Sequence, residues 1–142
     1  MASWSATVED EIVIEKVRII ERCLDRVREE FGGDPARLEN HTIEDALVLN
    51  LQRACEAAID LAMHAVRLRR LGLPHESREA FSLLEAARIL DPSVADRMRK
   101  MVGFRNIVVH AYQDIDRARL VSIVQNHLED FVEFCKAIVR FK

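Results

Sequence analysis

Apolar residues recur at intervals of three and four along nearly the whole chain, and this period constrains the fold more than any other feature. It is the period of an α-helix with one buried face, whereas no stretch shows the alternation of a half-buried strand. Glycine and proline, which oppose further helix, separate periodic stretches at 32–35 and 72–74. The pattern predicts five helices, at about 7–31, 42–71, 76–89, 91–110 and from the turn at 113–116 to about 141.

Helix-start signals support these boundaries. Thr42, with Asp45 three residues later, has the form of a capping box, and Asp91 followed by Pro92 provides a cap and a proline in the first turn. The length of 142 residues, of which 49% are hydrophobic, suffices for one core without disulfides or metals. We therefore expect an all-α, up-and-down bundle of about five helices that forms a single domain over 1–142.

Three further features limit the class of protein. Cys23, Cys55 and Cys135 lie among apolar residues without CxxC spacing, and are predicted to be reduced thiols of the core. The formal net charge of −3 gives no whole-molecule attraction to nucleic acid, so any RNA contact needs a local basic patch. With no leader and no long apolar run, the chain is expected to be cytoplasmic and without membrane contact.

The second predicted helix has two surfaces that each allow more than one interpretation. Small residues recur every four positions from Ala54 to Ala62 and permit close approach of another helix, either inside the monomer or across a dimer seam. On its polar face, Glu56, Asp60 and His64 lie one turn apart and could ligate a metal, although interleaved charges are more often a salt-bridged surface. We therefore predict no metal site and no cofactor.

The stretch 98–112, MRKMVGFRNIVVHAY, carries the residues best suited to chemistry. On a helical wheel, Arg105 and Tyr112 fall within an apolar stripe. A guanidinium cannot lose its proton and is costly to bury alone, so Arg105 needs an acidic partner or a cleft that receives an anion. The apolar members of the stripe are Met98, Met101, Val102, Val108 and Val109, and the acidic candidates are Glu56, Asp60 and Glu85.

A second face of the same helix contains Arg99, Gly103, Asn106 and His110, each three or four residues from the next. Asn106 is one turn from His110 and could orient its imidazole, while Gly103 leaves room for another backbone or a substrate. An arginine that stabilises charge and a histidine that moves protons suit reactions at a phosphate. These positions therefore indicate phosphate chemistry.

The run RNIVVHAY at 105–112 resembles the R-x4-H-x-Y signature of HEPN-domain proteins, in the branch of HepT-type toxins. Neighbouring segments, chiefly between residues 72 and 112, resemble that family too. The resemblance implies a metal-independent endoribonuclease, the toxin of a toxin–antitoxin pair, whose two subunits join their motifs at a homodimer interface. It makes Arg105 and His110 the catalytic pair and Asn106 a supporting residue. Tyr112 becomes the residue to which a cognate MntA-type nucleotidyltransferase antitoxin attaches AMP.

The reaction that the resemblance implies is attack of an RNA 2′-hydroxyl on the adjacent phosphate, giving a 2′,3′-cyclic phosphate and a 5′-hydroxyl. Arg105 and His110 are about 140° apart on an ideal helix, so two subunits would build one site more easily than one. Tyr112 shares a face with Arg105 on that wheel, so an attached AMP would occupy the guanidinium. The candidates for RNA contact are Arg97, Arg99 and Lys100.

Two other functions fit the same residues. One is a non-catalytic nucleotide- or RNA-binding helical module that acts with a nucleotidyltransferase, and the intact Arg105/His110 pair favours the enzyme over it. The other is a structural dimerisation domain, which would leave Arg105 in the apolar stripe unexplained. Cleavage of total RNA by the purified protein, lost in a His110→Ala variant, separates the enzyme from both.

Overall fold

Helices account for most of the backbone in the computed structural model, which describes residues 4–141 and the side-chain environments from residue 11 onward. The helices are α1 (Trp4–Phe31), α2 (His41–Leu68), α3 (Ser77–Ala86), α4 (Pro92–His110), α5 (Arg117–Asn126) and α6 (Leu128–Arg140). Short 3-10 turns cover Pro35–Glu39 and Tyr112–Asp114. Residues 4–141 contain no strand, and the predicted all-α bundle is confirmed.

Helix α2 is the centre of the bundle, because α1, α3, α4 and α6 all pack against it. The small residues Ala54, Ala58 and Ala62 are almost fully buried in this packing. Their surface is therefore used inside the monomer rather than left open for a dimer seam. Across the core, the rings of Phe81 and Phe134 meet edge to face with centroids 5.4 Å apart, which joins α3 to α6.

The start of α2 differs from the prediction. Asn40, not Thr42, is the N-cap: its side-chain oxygen accepts hydrogen bonds from the backbone N–H groups of Thr42 (2.9 Å) and Ile43 (3.2 Å). Asparagine caps at least as well as threonine. The N-cap therefore lies two residues earlier than predicted, and Thr42 lies inside the helix. The Thr42/Asp45 capping box was wrong, and Asp45 is left available for another partner.

The fifth predicted helix is in fact two helices, α5 and α6, separated at His127. His127 leaves helical geometry at φ −125° and ψ 4°, but the buried apolar residues keep intervals of three and four across it, from Ile123 and Val124 to Leu128 and Phe131. Apolar residues therefore stay in register through it, and the period could not reveal it. The Nδ1 atom of His127 lies 3.0 Å from Oδ2 of Asp130, which ties the side chain at the break to the first turn of α6.

The three cysteines are buried and free, as predicted. Burial is the main cause that raises the pKa of each thiol, and it brings that of Cys135 to about 12. A thiol held neutral in this way is a poor nucleophile, so the cysteines serve packing. Within residues 4–141, every helix is too short or too polar to cross a bilayer.

Candidate active site

The R-x4-H-x-Y motif spans the last turns of α4 and the 3-10 turn after it. The last helical hydrogen bond joins the N–H of Ala111 to the carbonyl of Ile107 (2.8 Å), and Ala111 itself is out of helical conformation at φ −151° and ψ 50°. The chain then turns, with the N–H of Asp114 bonded to the carbonyl of Ala111. Arg105 and His110 therefore belong to α4, whereas Tyr112 does not.

Arg105 reaches from α4 to both α2 and α3. Its Nη1 donates to the carboxylate of Glu56, at 3.2 Å from Oε1 and 3.4 Å from Oε2, and its Nη2 donates to the Ser77 hydroxyl at 3.1 Å. Its Nε is buried and has no acceptor within the described structure. Of the three acids that the sequence offered, Glu56 is the partner; Asp60 binds Lys16 and Glu85 binds Arg99.

This ion pair lies at the edge of the protein rather than in its interior. The Arg105 side chain is 20% exposed and that of Glu56 is 42% exposed, so solvent or a ligand can reach the pair. A buried N–H without an acceptor costs about 1 to 3 kcal/mol. Since the unfilled Nε is itself buried, an anion can approach Arg105 only through the exposed part of its side chain, beside Glu56.

His110 is exposed at the carboxyl end of α4, and its imidazole makes no hydrogen bond to a described residue. Asn106, one turn earlier, is half-buried and forms no hydrogen bond with the imidazole. On an ideal helix, Cα atoms five residues apart, as at 105 and 110, are about 9 Å from each other. Since Arg105 turns inward to Glu56 while His110 faces solvent, the two groups do not converge within one chain.

The helical wheel placed Tyr112 on the face of Arg105, and this was wrong because α4 ends at His110. The Tyr112 hydroxyl donates to Oδ1 of Asp45 at 2.5 Å. Asp45 and Glu56 are eleven residues apart on α2, about 16 Å along its axis. An AMP on Tyr112 is therefore not placed by this helix against the Arg105 of its own chain, and the expected blocking of that guanidinium loses its basis within one subunit.

Two other expectations for α4 change. Val109, predicted in the apolar stripe, is 48% exposed, and Phe104, which the stripe omitted, is almost fully buried. The space beside Gly103 is filled by Arg78 of α3, whose Nη2 would lie 3.0 Å from an added Cβ. A side chain from α3, rather than another backbone or a substrate, therefore occupies the space beside Gly103.

The three predicted RNA contacts are all held in ion pairs. Arg97 binds Asp130 (2.5 Å) and Glu133 (2.7 Å) of α6. Arg99 binds Glu85 of α3 at 2.7 Å, and Lys100, beside Arg97, binds Asp96 of α4 itself at 3.2 Å. Lys100 is the most exposed of the three side chains, at 74%. These pairs neutralise much of the patch, so RNA contact through these side chains stays a prediction.

The polar face of α2 does not act as one cluster. Glu56 contacts Arg105 of α4, whereas Asp60 contacts Lys16 of α1. His64 is buried, with its Nε2 unpartnered among the described residues. The side chains from residue 11 onward contain no group of three or more His, Cys, Asp or Glu placed to hold a metal ion.

Sequence reasoning missed two residues of this region. Asp45 was interpreted as part of a cap, and Ser77 was not considered. Asp45 and Tyr112 are 67 positions apart, and Ser77 and Arg105 are 28 apart. Neither pair shares an element, so no local spacing could have predicted these contacts.

Comparison with known proteins places the chain in a family. A family model described as Ribonuclease HepT-like matches residues 13–138. The mRNA nuclease HepT of Shewanella oneidensis is 41% identical over 129 residues, which cover 91% of this chain and 97% of that protein. The tRNA nuclease HepT of Aphanizomenon flos-aquae is 28% identical over 135 residues, which cover 92% and 90%.

Solved structures agree with these relatives. The tri-AMPylated HEPN toxin of Shewanella oneidensis, in complex with MNT antitoxin, superposes with a TM-score of 0.85 at 40% identity over 92% of this chain and 98% of that one. A toxin–antitoxin crystal structure with AMP-PNP has a TM-score of 0.87 at 39% identity, covering 93% and 99%. Family model, sequence relatives and fold agree: the chain belongs to the Ribonuclease HepT-like family.

Proposed function

We propose that this protein is the ribonuclease toxin of a toxin–antitoxin pair, that Arg105 and His110 cleave RNA, and that a nucleotidyltransferase antitoxin silences it by attaching AMP to Tyr112. The observation that carries the proposal is the complete motif at the end of α4, with a guanidinium whose Nε lacks an acceptor and an exposed imidazole, in a member of this family. The relatives named above are nucleases, and one was solved tri-AMPylated with its antitoxin.

The proposed reaction uses the RNA's own 2′-hydroxyl as nucleophile. His110 takes the proton from that hydroxyl as the 2′-oxygen bonds to phosphorus, and protonation of the 5′-oxygen accompanies cleavage of its bond to phosphorus. Arg105 stabilises the extra negative charge on the phosphoryl oxygens, because a guanidinium presents several donors that cannot be deprotonated. The products are a 2′,3′-cyclic phosphate and a 5′-hydroxyl, and Asn106 supports the imidazole from one turn away.

A homodimer would bring the guanidinium and the imidazole together although they point apart within one chain. Arg105 of one subunit and His110 of the other can meet at one phosphate if α4 lies at a twofold interface, and the same arrangement repeats at a second site. Three exposed apolar or aromatic side chains lie on or next to the elements that carry the motif: Leu49 (44% exposed), Val109 (48%) and Tyr112 (41%). Their burial would favour association through this side of the molecule.

RNA would reach the site along α4, past Arg99 on the side of α3 and Lys100 on the side of α5 and α6. We place Arg99 and Lys100 there as contacts for the RNA backbone, since their acidic partners Glu85 and Asp96 are themselves partly exposed and exchange for phosphate at small cost. Arg97 is a weaker candidate because it neutralises Asp130, which is only 3% exposed.

Mixing two inactive variants tests the shared site directly. Arg105→Ala and His110→Ala subunits should each be inactive on total RNA, and their mixture should recover about a quarter of the wild-type rate, because half of the dimers are mixed and each has one intact site of two. Sequencing gels should show the cyclic phosphate ends. No recovery, with both variants folded and dimeric, would contradict a site shared in this way. Absence of RNA cleavage by the folded wild-type protein would instead favour the non-catalytic binding module.

A further inference from the structure

Tyr112 is held at its hydroxyl by a carboxylate. Oδ1 of Asp45 accepts the phenolic hydrogen at 2.5 Å, and Asp45 makes no other side-chain contact within the described structure. The neighbouring acid, Glu44, is not equivalent, because its Oε2 accepts from Nε of Arg117 at 3.0 Å. Of the two adjacent carboxylates at the start of α2, Asp45 therefore accepts from the phenol and is not paired with an arginine.

The phenol needs such a partner if it is to become a nucleophile. Burial is the largest cause that raises the pKa of Tyr112 above its ordinary value, followed by the hydrogen bond to Asp45 and by the negative charges of Asp45 and Glu44. Tyr112 therefore remains protonated throughout the physiological pH range. A neutral phenol attacks phosphorus slowly unless a base removes its proton as the new bond forms.

We propose that Asp45 is the general base for AMP transfer to Tyr112, so that the toxin supplies part of the machinery of its own silencing. This inference rests on the proposed modification of Tyr112 by a nucleotidyltransferase that uses ATP. The phenolic oxygen attacks the α-phosphorus of ATP, and the bond from that phosphorus to the bridging oxygen of the β-phosphate breaks. Pyrophosphate leaves, and the phenolic proton passes to Oδ1 of Asp45.

The exposure of the pair fits this role. Tyr112 is 41% exposed and Asp45 is exposed too, so a nucleotide bound to a partner enzyme can reach the hydroxyl from solvent while the carboxylate stays in contact with it. Asp45 is fixed by the backbone of α2, whereas Tyr112 lies in a turn of three residues. The helix therefore provides a rigid position for the base relative to the reacting oxygen.

The experiment is AMP transfer measured by intact-protein mass spectrometry, with full-length toxin, its cognate nucleotidyltransferase, ATP and Mg²⁺. Asp45→Asn keeps the size of the side chain but cannot take the proton, so the transfer rate should fall about 100-fold or more. Glu44→Gln is the matched control: it removes the same charge one residue away and should stay within about threefold of wild type. Ribonuclease activity should be unchanged in Asp45→Asn, which shows that the variant is folded.

The pH profile separates a base from a merely structural partner. In wild type the transfer rate should change little through the neutral range, because removal of the proton by a base in contact with the phenol does not require phenolate formed beforehand. In Asp45→Asn it should rise about tenfold per pH unit, because transfer then depends on the scarce phenolate. If the wild type is modified and AMP transfer to Asp45→Asn is equally fast or faster, this inference alone is overturned. An unmodified wild type would overturn the proposed silencing, and this inference with it.

Discussion

The two halves of α4 each carry an arginine that pairs with acid, and the two sites are built differently. Arg97, in the first half, donates to Asp130, to Glu133 and to the carbonyl of Ser93, and the Asp130 carboxylate is additionally held by His127. Arg105, in the second half, has one partly exposed carboxylate, one hydroxyl and an Nε without an acceptor. Each nitrogen of the Arg97 guanidinium therefore has an acceptor, whereas Nε of Arg105 has none among the described residues.

This difference teaches that position in the sequence does not assign the role of an arginine. A buried acid such as Asp130 requires its cation for stability, because an unpaired charge in the interior is expensive. A half-exposed acid such as Glu56 remains solvated without its partner. Removal of the two arginines should therefore affect different properties. Two experiments test that distinction, and two more address the contact between Tyr112 and Asp45.

The largest effect is expected on catalysis at the second half of the helix. Arg105→Ala and His110→Ala should each lower the rate of RNA cleavage by about 100-fold or more, through loss of charge stabilisation and of proton transfer. The free energy of unfolding of Arg105→Ala should change by no more than about 1 kcal/mol, because Glu56 stays in contact with water. A much larger loss of stability in urea denaturation would mean that Arg105, like Arg97, is a structural residue.

The next effect is on stability at the first half. Arg97→Ala leaves the Asp130 carboxylate with only His127 as a partner, so the free energy of unfolding should fall by about 3 kcal/mol in urea. Lys100→Ala is the matched control, since it removes a neighbouring cation from an exposed acid and should cost no more than about 0.5 kcal/mol. The cleavage rate per folded Arg97→Ala molecule should stay near wild type. Equal costs for the two variants would erase the distinction between the two halves.

A smaller effect is expected for Tyr112→Phe. Loss of a partly exposed hydrogen bond should lower the free energy of unfolding by about 1 kcal/mol or less. RNA cleavage should be largely retained, because the hydroxyl contacts Asp45 and not Arg105. AMP incorporation in the presence of the antitoxin should disappear. Loss of cleavage in a folded variant would instead make Tyr112 part of the catalytic group.

The smallest effect is on the pH dependence of stability. The raised pKa of Tyr112 means that the folded state holds the phenolic proton more tightly than the unfolded state does. The resulting stabilisation is complete below about pH 10, the ordinary value, and is lost as the pH rises above it. The stability advantage of wild type over Tyr112→Phe should therefore stay constant up to about pH 10 and shrink above it in urea denaturation. An advantage that grows with pH would contradict the contact with Asp45.

Much of the fold followed from period and punctuation. The apolar spacing predicted four helices close to their observed positions, and the small residues from Ala54 to Ala62 and the three cysteines are buried as their spacing indicated. The break at His127 was not predicted because the apolar spacing continues through it. The start of α2 was misplaced because Asn40 and Thr42 are both good caps, and only the observed hydrogen bonds decide between them.

The site was only partly predictable. The motif residues could be found because they lie within eight positions, and the need of Arg105 for an acid followed from its place in the apolar stripe. The choice of Glu56 over two other acids depends on how α2 and α4 pack, which no local spacing encodes. The wheel failed for Tyr112 because it assumes a continuing helix, whereas the backbone leaves helical geometry at Ala111.

Glu56 and Asp45 share one face of α2, since eleven residues make slightly more than three full turns. Their separation is set by the repeated hydrogen bonds of a single helix, not by a loop. The positively charged group and the phenol that they hold therefore keep a preset spacing before any antitoxin binds. A nucleotidyltransferase that modifies Tyr112, as proposed, would find its hydroxyl in a position set by α2. It could dock against this helix without changing the conformation of the toxin.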